Sequence, residues 1–562
     1  MTEIITGEAQ KGTDKTTPSQ QRKDPLGFVN FDGSSGDNSL VDVRVPQDRI
    51  ERIRRGQYVL LIESKGGDSY LGRVTKGPFY NPDAVGRDSG FAKASILMGD
   101  KVKFLPDYHA VCMVEILGSV YLDTLSLSGH TTRPLPKTFV WELDENKIEE
   151  LLNLRGNMYL GHLAGYEGVR VHFQAGDKRV LPRNVGIFGT VGSGKTNTSQ
   201  VLIEEASAAG YAVAVLDVEG EYVSMDRSSE ELSVSPRLRE AASRFGISPR
   251  GIDSLRVYRV TGTESKRKDA IEFCIKFGDI SPYTLCEIMG LNEAQEHRFL
   301  ELYDTAVESV RSGKQQPGAK SKWDRLKGGE AVVGLDRIPE LTLQLLIDKL
   351  RTDFLTGSKG ADRSSWLKVN QLLHKLKRYQ IFDTHEQGLN VNDLLTPGRV
   401  SIFDLSDSTN TRINNIVIAD ILRRVFDHKL NNEDAPPTLI MIEEAHTFVS
   451  RENVSKMEFT VDQLREISRR GRKRWLGLCF ISQQPAHLPD ELYELCNTKI
   501  IHQTTGKKNL DALRTSAGNV NEAVWSEVPI LGQGRSVIIS PQFTHPVLCD
   551  MRPCQTHREY TD

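Results

Sequence analysis

The sequence predicts an α/β protein: a parallel sheet flanked by helices, interrupted by a helical insertion and preceded by a small antiparallel β-domain. Three observations predict it. From Asn184 onward, near-continuous apolar runs alternate with amphipathic stretches, as in sheets buried on both faces. From Gly27 to about Pro136, short strand-like runs are separated by Gly, Asp, Asn and Pro. Between 264 and 395 the chain is charged, and its apolar residues recur at spacings of three and four.

Taken in order, residues 1–26 are polar and almost free of periodic apolar residues, the composition of a disordered tail. Residues 27–136 contain QYVLLIES, SYLGRVT, KVKFLP and AVCMVEILG, which suggest a small barrel or sandwich. DENKIEELLNL, Asp144 to Leu154, reads as a short helix, and GNMYLGHLAG after it as loop and strand. Residues 137–263 then form the first part of an α/β core, with NVGIF, a helix from Lys195 to about Ala209, and AVAVLD. Residues 264–395 read as an inserted helical subdomain, on AQEHRFLELYDTAVESV and SWLKVNQLLHKLKRYQIFD. Residues 396–562 complete the core with TLIMI, LGLCFIS, KIIHQ and RSVIIS as further strands of the parallel sheet.

A chain of 562 residues with 38% apolar and 26% charged residues fits an ordinary folded protein of several domains. A net charge of −3 means that any nucleic-acid contact must come from local basic groups. The seven cysteines are scattered and odd in number, which suits free thiols in a reducing compartment. No apolar run approaches the roughly 20 residues of a membrane span, and no apolar leader opens the chain, so the cytoplasm is the expected location.

Gly189, Thr190, Val191, Gly192, Ser193, Gly194, Lys195 and Thr196 spell GTVGSGKT, between an apolar strand and a helix. In that context glycines let backbone N–H groups close on phosphate oxygens, and the helix N-terminus adds unpaired donors. A lysine there reaches the β- and γ-phosphates and a hydroxyl ligates Mg²⁺, so ATP with Mg²⁺ is the expected ligand and Asn197 adjoins it. Hydrolysis also needs carboxylates at neighbouring strand ends. TLIMIEEAH supplies Glu443, expected to support the metal, and Glu444, expected to polarise the attacking water; a solvated helix start is the plainer alternative. AVAVLDVEGEY supplies Asp217, Glu219 and Glu221, for which capping and catalysis are equally open. Gln483 of SQQP either senses the γ-phosphate or belongs to a turn closing on proline. REISRRGRKR, Arg465 to Arg474, reads as a solvated face, a nucleic-acid strip or an arginine finger.

The order of these segments, from the β-domain through GTVGSGKTN, DVEGEY, the helical insertion, IEEAHTFV and ISRRGRKRWLGLCFISQQP to NTKIIHQ, resembles the HerA ATPases of the HerA–FtsK branch of RecA-like motors. The resemblance spans about residues 27–550. It implies a RecA-like P-loop ATPase core with a helical insertion behind an N-terminal antiparallel β-barrel for assembly and partner docking. It also implies a hexamer that translocates double-stranded DNA with a protein partner: the NurA nuclease in archaea, or a sirtuin-like or nuclease effector in bacterial anti-phage defence. Carried over by position, Lys195 and Thr196 fall on the nucleotide site, and Glu443 and Glu444 on the acidic pair. Asp217, taken as a metal ligand beside Thr196 and Glu443, and Glu221, taken as catalytic, fall on the D-x-x-G-E-Y segment, Arg469 and Arg472 on the segment that supplies a trans-acting arginine, and Gln483 on the S-Q-R-P segment. Arg470 stands where an acid is common and Gln484 where an arginine is. Lys507 and Lys508 are candidate DNA contacts or simply surface lysines. Two further readings stand beside the motor: an ATP-dependent platform that organises a partner effector, and a small-molecule kinase, which leaves the arginine segment and the β-domain without a purpose.

Overall fold

The computed structural model describes residues 24–31, 39–63, 67–82, 107–312, 338, 340–356, 361–384, 388–407, 410–452, 458–518 and 520–559. The expected tail, but for residues 24–26, and the whole of KVKFLP lie outside them. The chain divides into two compact units.

The first unit is a barrel. Strands β1 (Gly27–Val29), β2 (Leu40–Val45), β3 (Tyr58–Ile62), β4 (Ser69–Pro82), β5 (Tyr108–Tyr121), β6 (Ser126–Ser128) and β7 (Phe139–Glu142) run in the order β2-β1-β7-β3-β4-β5-β6. An additional antiparallel pairing of β2 with β5 closes the cylinder. Alternation decides which face turns inward: Val41, Val43 and Val45 lie opposite Val114, Cys112 and Ala110, and all six are buried. Register shifts on β4 between Leu71 and Gly72 and again between Val74 and Phe79 bend the long strand as closure requires. Gly72 keeps the wall close: a Cβ there would stand 2.5 Å from Val114 Cγ1. The helix Glu145–Leu151 starts where Asp144 accepts a hydrogen bond from Asn146 N at 3.0 Å. Gln542, from far along the chain, returns to this unit, and its Nε2 donates to Asn153 O, Arg155 O and His172 O.

The second unit holds the α/β core. β8 (Met158–Leu163), β9 (Arg170–Phe173) and the last strand, β19 (Val547–Met551), fall partly in the first unit; the strands wholly in the second are β10 (Val185–Phe188), β11 (Ala212–Asp217), β12 (Leu255–Val260), β13 (Ile271–Phe273), β14 (Val400–Asp404), β15 (Thr438–Ile442), β16 (Leu476–Ser482), β17 (Thr498–Ile501) and β18 (Arg535–Ile539). From β13 the order is β13-β12-β14-β11-β15-β16-β10-β17-β18. β10, β11, β14, β15, β16 and β17 are buried along their whole length, which is why they read as continuous apolar runs. β18 pairs antiparallel with β17, where a parallel strand was expected. Hydropathy marks a buried strand but not its direction.

Between 264 and 395, the helices Pro282–Met289, Glu293–Ser312, Leu343–Lys349 and Ala361–Arg378 bury Phe299, Leu302, Leu346, Trp366, Val369 and Leu373. The same stretch also contributes β13, parallel to β12.

Candidate functional site

Neighbouring parallel strands end on one edge, so the order β11-β15-β16-β10 gathers four strand ends. That topology brings together Asp217, Glu443, Ser482 and the loop 189–194, which lie far apart in sequence. The loop leads from β10 into the helix Lys195–Ala208. Gly192 and Gly194 have φ of 73° and 113°, a region side chains rarely adopt, and they turn the chain into that helix. Thr190 N and Oγ1 both donate to Gln503 O, at 2.9 and 3.0 Å, so the end of β17 holds the loop in place. Ser193 Oγ and Lys195 Nζ both donate to Thr190 O, at 2.7 and 3.0 Å. Thr196 is half-buried and Val191 fully outside. Asn197 faces elsewhere with its side chain: its amide donates to Arg552 O and accepts from Cys554 N.

Lys195 is 7% exposed. Burial lowers its ammonium pKa, opposed by the charges of Glu444, Glu219, Glu221 and Glu443, which therefore stand around it. Asp217 is fully buried, and its carboxylate accepts from Gly220 N, Glu221 N and Tyr222 N at 2.7, 3.1 and 2.9 Å. It thereby ties the turn that presents Glu219 and Glu221. Glu443 Oε2 accepts from Val218 N and Glu219 N. Burial and the Asp217 charge push the Glu443 carboxyl well above the usual range; burial also raises Asp217, to about 6, against the pull of the Tyr222 and Glu221 backbone N–H groups. One carboxylate oxygen each of Glu219, Glu221 and Glu443 lies within 4.8 Å of the others. Hard oxygen donors so placed suit a divalent cation. Asp217 adjoins the cluster through a hydrogen bond with the Glu443 carboxyl, while its backbone contacts tie the turn.

Glu444 sits in a left-handed conformation, φ 43° and ψ 47°, which is strained for a residue with a side chain. The strain carries it past the strand end, with Oε2 3.1 Å from His446 Nδ1. Ser482 Oγ is 3.3 Å from the same nitrogen and accepts from Gln484 N. Gln483 follows β16 at this edge, half-buried.

The basic segment separates into two groups. Arg465, Arg470 and Arg474 each pair with an acid, Asp462, Glu466 and Glu433. Arg469 and Arg472, on the helix Glu458–Gly471 and the turn after it, are exposed and have no ion pair among the described residues. Lys507 and Lys508 open the helix Lys507–Ser516, exposed.

Sequence reasoning read KIIHQ only as a strand and so missed His502. It is fully buried beneath the loop: Nε2 meets Thr198 Oγ1 at 2.8 Å, and a Cβ on Gly189 would stand 2.7 Å from its own Cβ. Burial first, and then the nearby Lys195 charge, lower its pKa to about 4 from 6.5. The folded protein thus binds fewer protons here than the unfolded chain. The stabilisation is fully present above pH 6.5 and is lost as pH falls through about 4. We expect urea stability to drop across this window by on the order of 3 kcal/mol at most from this group. His502→Gln should flatten that part of the profile; an unchanged slope contradicts the neutral buried imidazole.

Comparison with known proteins places this geometry. Residues 158–425 match the family described as "Helicase HerA, central domain". The DNA double-strand break repair helicase HerA of Pyrococcus furiosus is 22% identical over 536 residues, covering 88% of this chain and 86% of that protein. The probable DNA double-strand break repair helicase HerA of Methanocaldococcus jannaschii is 23% identical, with 89% and 91% covered. The HerA of Saccharolobus solfataricus is 23% identical, with 72% and 70% covered. The α/β core, phosphate loop and acidic strand ends agree with that match: residues 158–425 carry a P-loop ATPase domain of the HerA central-domain type, in a chain similar to HerA helicases over most of its length.

Proposed function

We propose that this ATPase forms a ring, hexameric as the resemblance implies, that translocates double-stranded DNA in the cytoplasm and works with a nuclease, sirtuin-like or other effector in DNA end processing or anti-phage defence. The observation that carries the ring is the pair of exposed arginines, Arg469 and Arg472, that have no ion pair among the described residues. Arg465, Arg470 and Arg474 are neutralised within the chain, whereas these two are left to face a neighbouring protomer's phosphate. The names of the HerA relatives support DNA as the polymer moved.

In this reading the loop Gly189–Gly194 and Lys195 hold the triphosphate, and Glu444 orients the water that attacks it. Thr196 with Glu443, Glu221 and Glu219 would hold Mg²⁺, which would supply charge neutralisation at the phosphates. Gln483 senses whether the terminal phosphate is attached. Because Arg469 or Arg472 of the next protomer completes the site, cleavage alters a contact that two protomers share, and the interface switches.

Duplex DNA should accelerate ATP hydrolysis irrespective of its sequence, through backbone phosphates. That stimulation should fall steeply between about 50 and 200 mM salt as bound counterions cease to be released. Hydrolysis indifferent to DNA, together with tight binding of a co-encoded nuclease, contradicts translocation and leaves the assembly platform. Among the described residues no helix is long and apolar enough to cross a membrane.

A further inference from the structure

Residues 551–559 run along the helix Lys195–Ala208 as a strap. Asn197, Gln200 and Glu204 share one face of that helix by their spacing of three and four. All three are spent on the strap. Asn197 bonds Arg552 O and Cys554 N; Gln200 Nε2 donates to His557 O at 3.1 Å. Glu204 Oε1 accepts from Gln555 N, Thr556 N and Thr556 Oγ1 at 2.8, 2.9 and 2.8 Å. Arg552, with no exposed surface, pairs with Glu204 and Glu205 at 2.9 and 2.8 Å. A guanidinium buried this completely fixes the strap to the helix that begins with Lys195.

Beyond this anchor the strap reaches the acidic strand ends. His557 N donates to Arg227 O, and Glu559 N donates to Glu221 O at 3.1 Å. Ser224 Oγ donates to Glu559 Oε1. Between them, the Arg558 guanidinium meets the Glu221 carboxylate. That carboxylate is 6% exposed and shares its surroundings with Glu219 and Glu443. Three carboxylates repel one another, and Arg558 supplies an attraction that keeps Glu221 in place.

We propose that Arg558 is a positioning residue for hydrolysis: held by the strap, it fixes the Glu221 carboxylate within the acidic cluster and so links the phosphate helix to the chemistry. The proposal rests on the reading of Glu219, Glu221 and Glu443 as the metal-holding cluster. Losing the guanidinium frees a crowded carboxylate to swing away, while the phosphate loop itself is untouched. The loss should therefore fall on kcat and not on nucleotide binding.

The test compares Arg558→Ala, Arg558→Lys, Glu221→Gln and the Arg558→Ala/Glu221→Gln double variant of the full chain. Steady-state hydrolysis, affinity for a fluorescent ATP analogue and the melting temperature are measured for each. We expect Arg558→Ala to lower kcat about tenfold or more with analogue affinity within about twofold. Arg558→Lys should recover part of the loss, because it restores the charge without the fork. The double variant should be no slower than Glu221→Gln alone, since Arg558 acts through Glu221. Wild-type kcat in Arg558→Ala overturns the proposal. So does a joint fall of kcat, analogue affinity and melting temperature that Arg558→Lys does not relieve, which marks the strap as a clamp only. Full activity of Glu221→Gln instead overturns the reading of the cluster itself.

Discussion

Lys195→Ala should abolish steady-state ATP hydrolysis and weaken nucleotide binding by at least about tenfold, with a turnover loss of about 10²-fold or more. Lys195 joins the phosphate loop to the acidic strand ends electrostatically. Its ammonium is buried, sits 3.0 Å from Thr190 O within the loop, and is the cation set against Glu444, Glu219, Glu221 and Glu443. Alanine removes the group that offsets the triphosphate and leaves the four carboxylates to repel it. The deficit should appear in both KM and kcat, because charge is lost in the bound state and in the transition state alike. Steady-state hydrolysis and titration of a fluorescent ATP analogue check it. Wild-type turnover in this variant rejects the site.

Glu444→Gln should separate binding from chemistry. We expect nucleotide affinity close to wild type and kcat lower by about 10² to 10⁴, the range for loss of a positioned acid–base group. The carboxylate is held in a left-handed backbone conformation just beyond a buried strand. That strain has no packing purpose in a strand end, and it points to a group placed for function. Glutamine keeps the size of the side chain and its approach to His446 but cannot take a proton from a water. A variant that turns over normally contradicts the assignment and moves attention to Glu443. Glu443→Gln should in turn act on the turn as well as the chemistry, since its Oε2 accepts from Val218 N and Glu219 N.

The parts of this site that were legible in the sequence are those written locally. GTVGSGKT is continuous, its flanking strand β10 is four buried residues, and its helix begins at Lys195. TLIMI followed by two glutamates marks a strand buried on both faces and its charged end for the same reason. Sheet order then brought Asp217, Glu443 and Ser482 to one edge, which composition cannot encode. β12 and β13 escaped notice because they are only partly buried, and β14, although fully buried, because it is a five-residue run directly after the charged helical stretch. The direction of β18 escaped because an apolar run looks the same read either way.

The least legible features depend on residues hundreds of positions apart. His502 and Gln503 brace a loop that precedes them by more than three hundred residues. Arg552 closes a buried ion cluster with Glu204 and Glu205. Among the acids of DVEGEY, sequence left capping and catalysis equally open. The fold divides them: Asp217 holds three backbone N–H groups of the turn, while Glu219 and Glu221 converge with Glu443. Among the arginines of REISRRGRKR, only their partners separate Arg469 and Arg472 from the rest.

The central claim is that one protomer's phosphate loop is completed by its neighbour's arginines. Mixing two inactive proteins tests it most directly: Glu444→Gln, and the Arg469→Ala/Arg472→Ala double variant. In a randomly mixed ring, roughly a quarter of the interfaces join an intact acidic site to intact arginines. The account predicts that ATP hydrolysis, absent in either protein alone, returns on mixing. No recovery in rings shown to contain both chains, or full activity of the double arginine variant by itself, contradicts it.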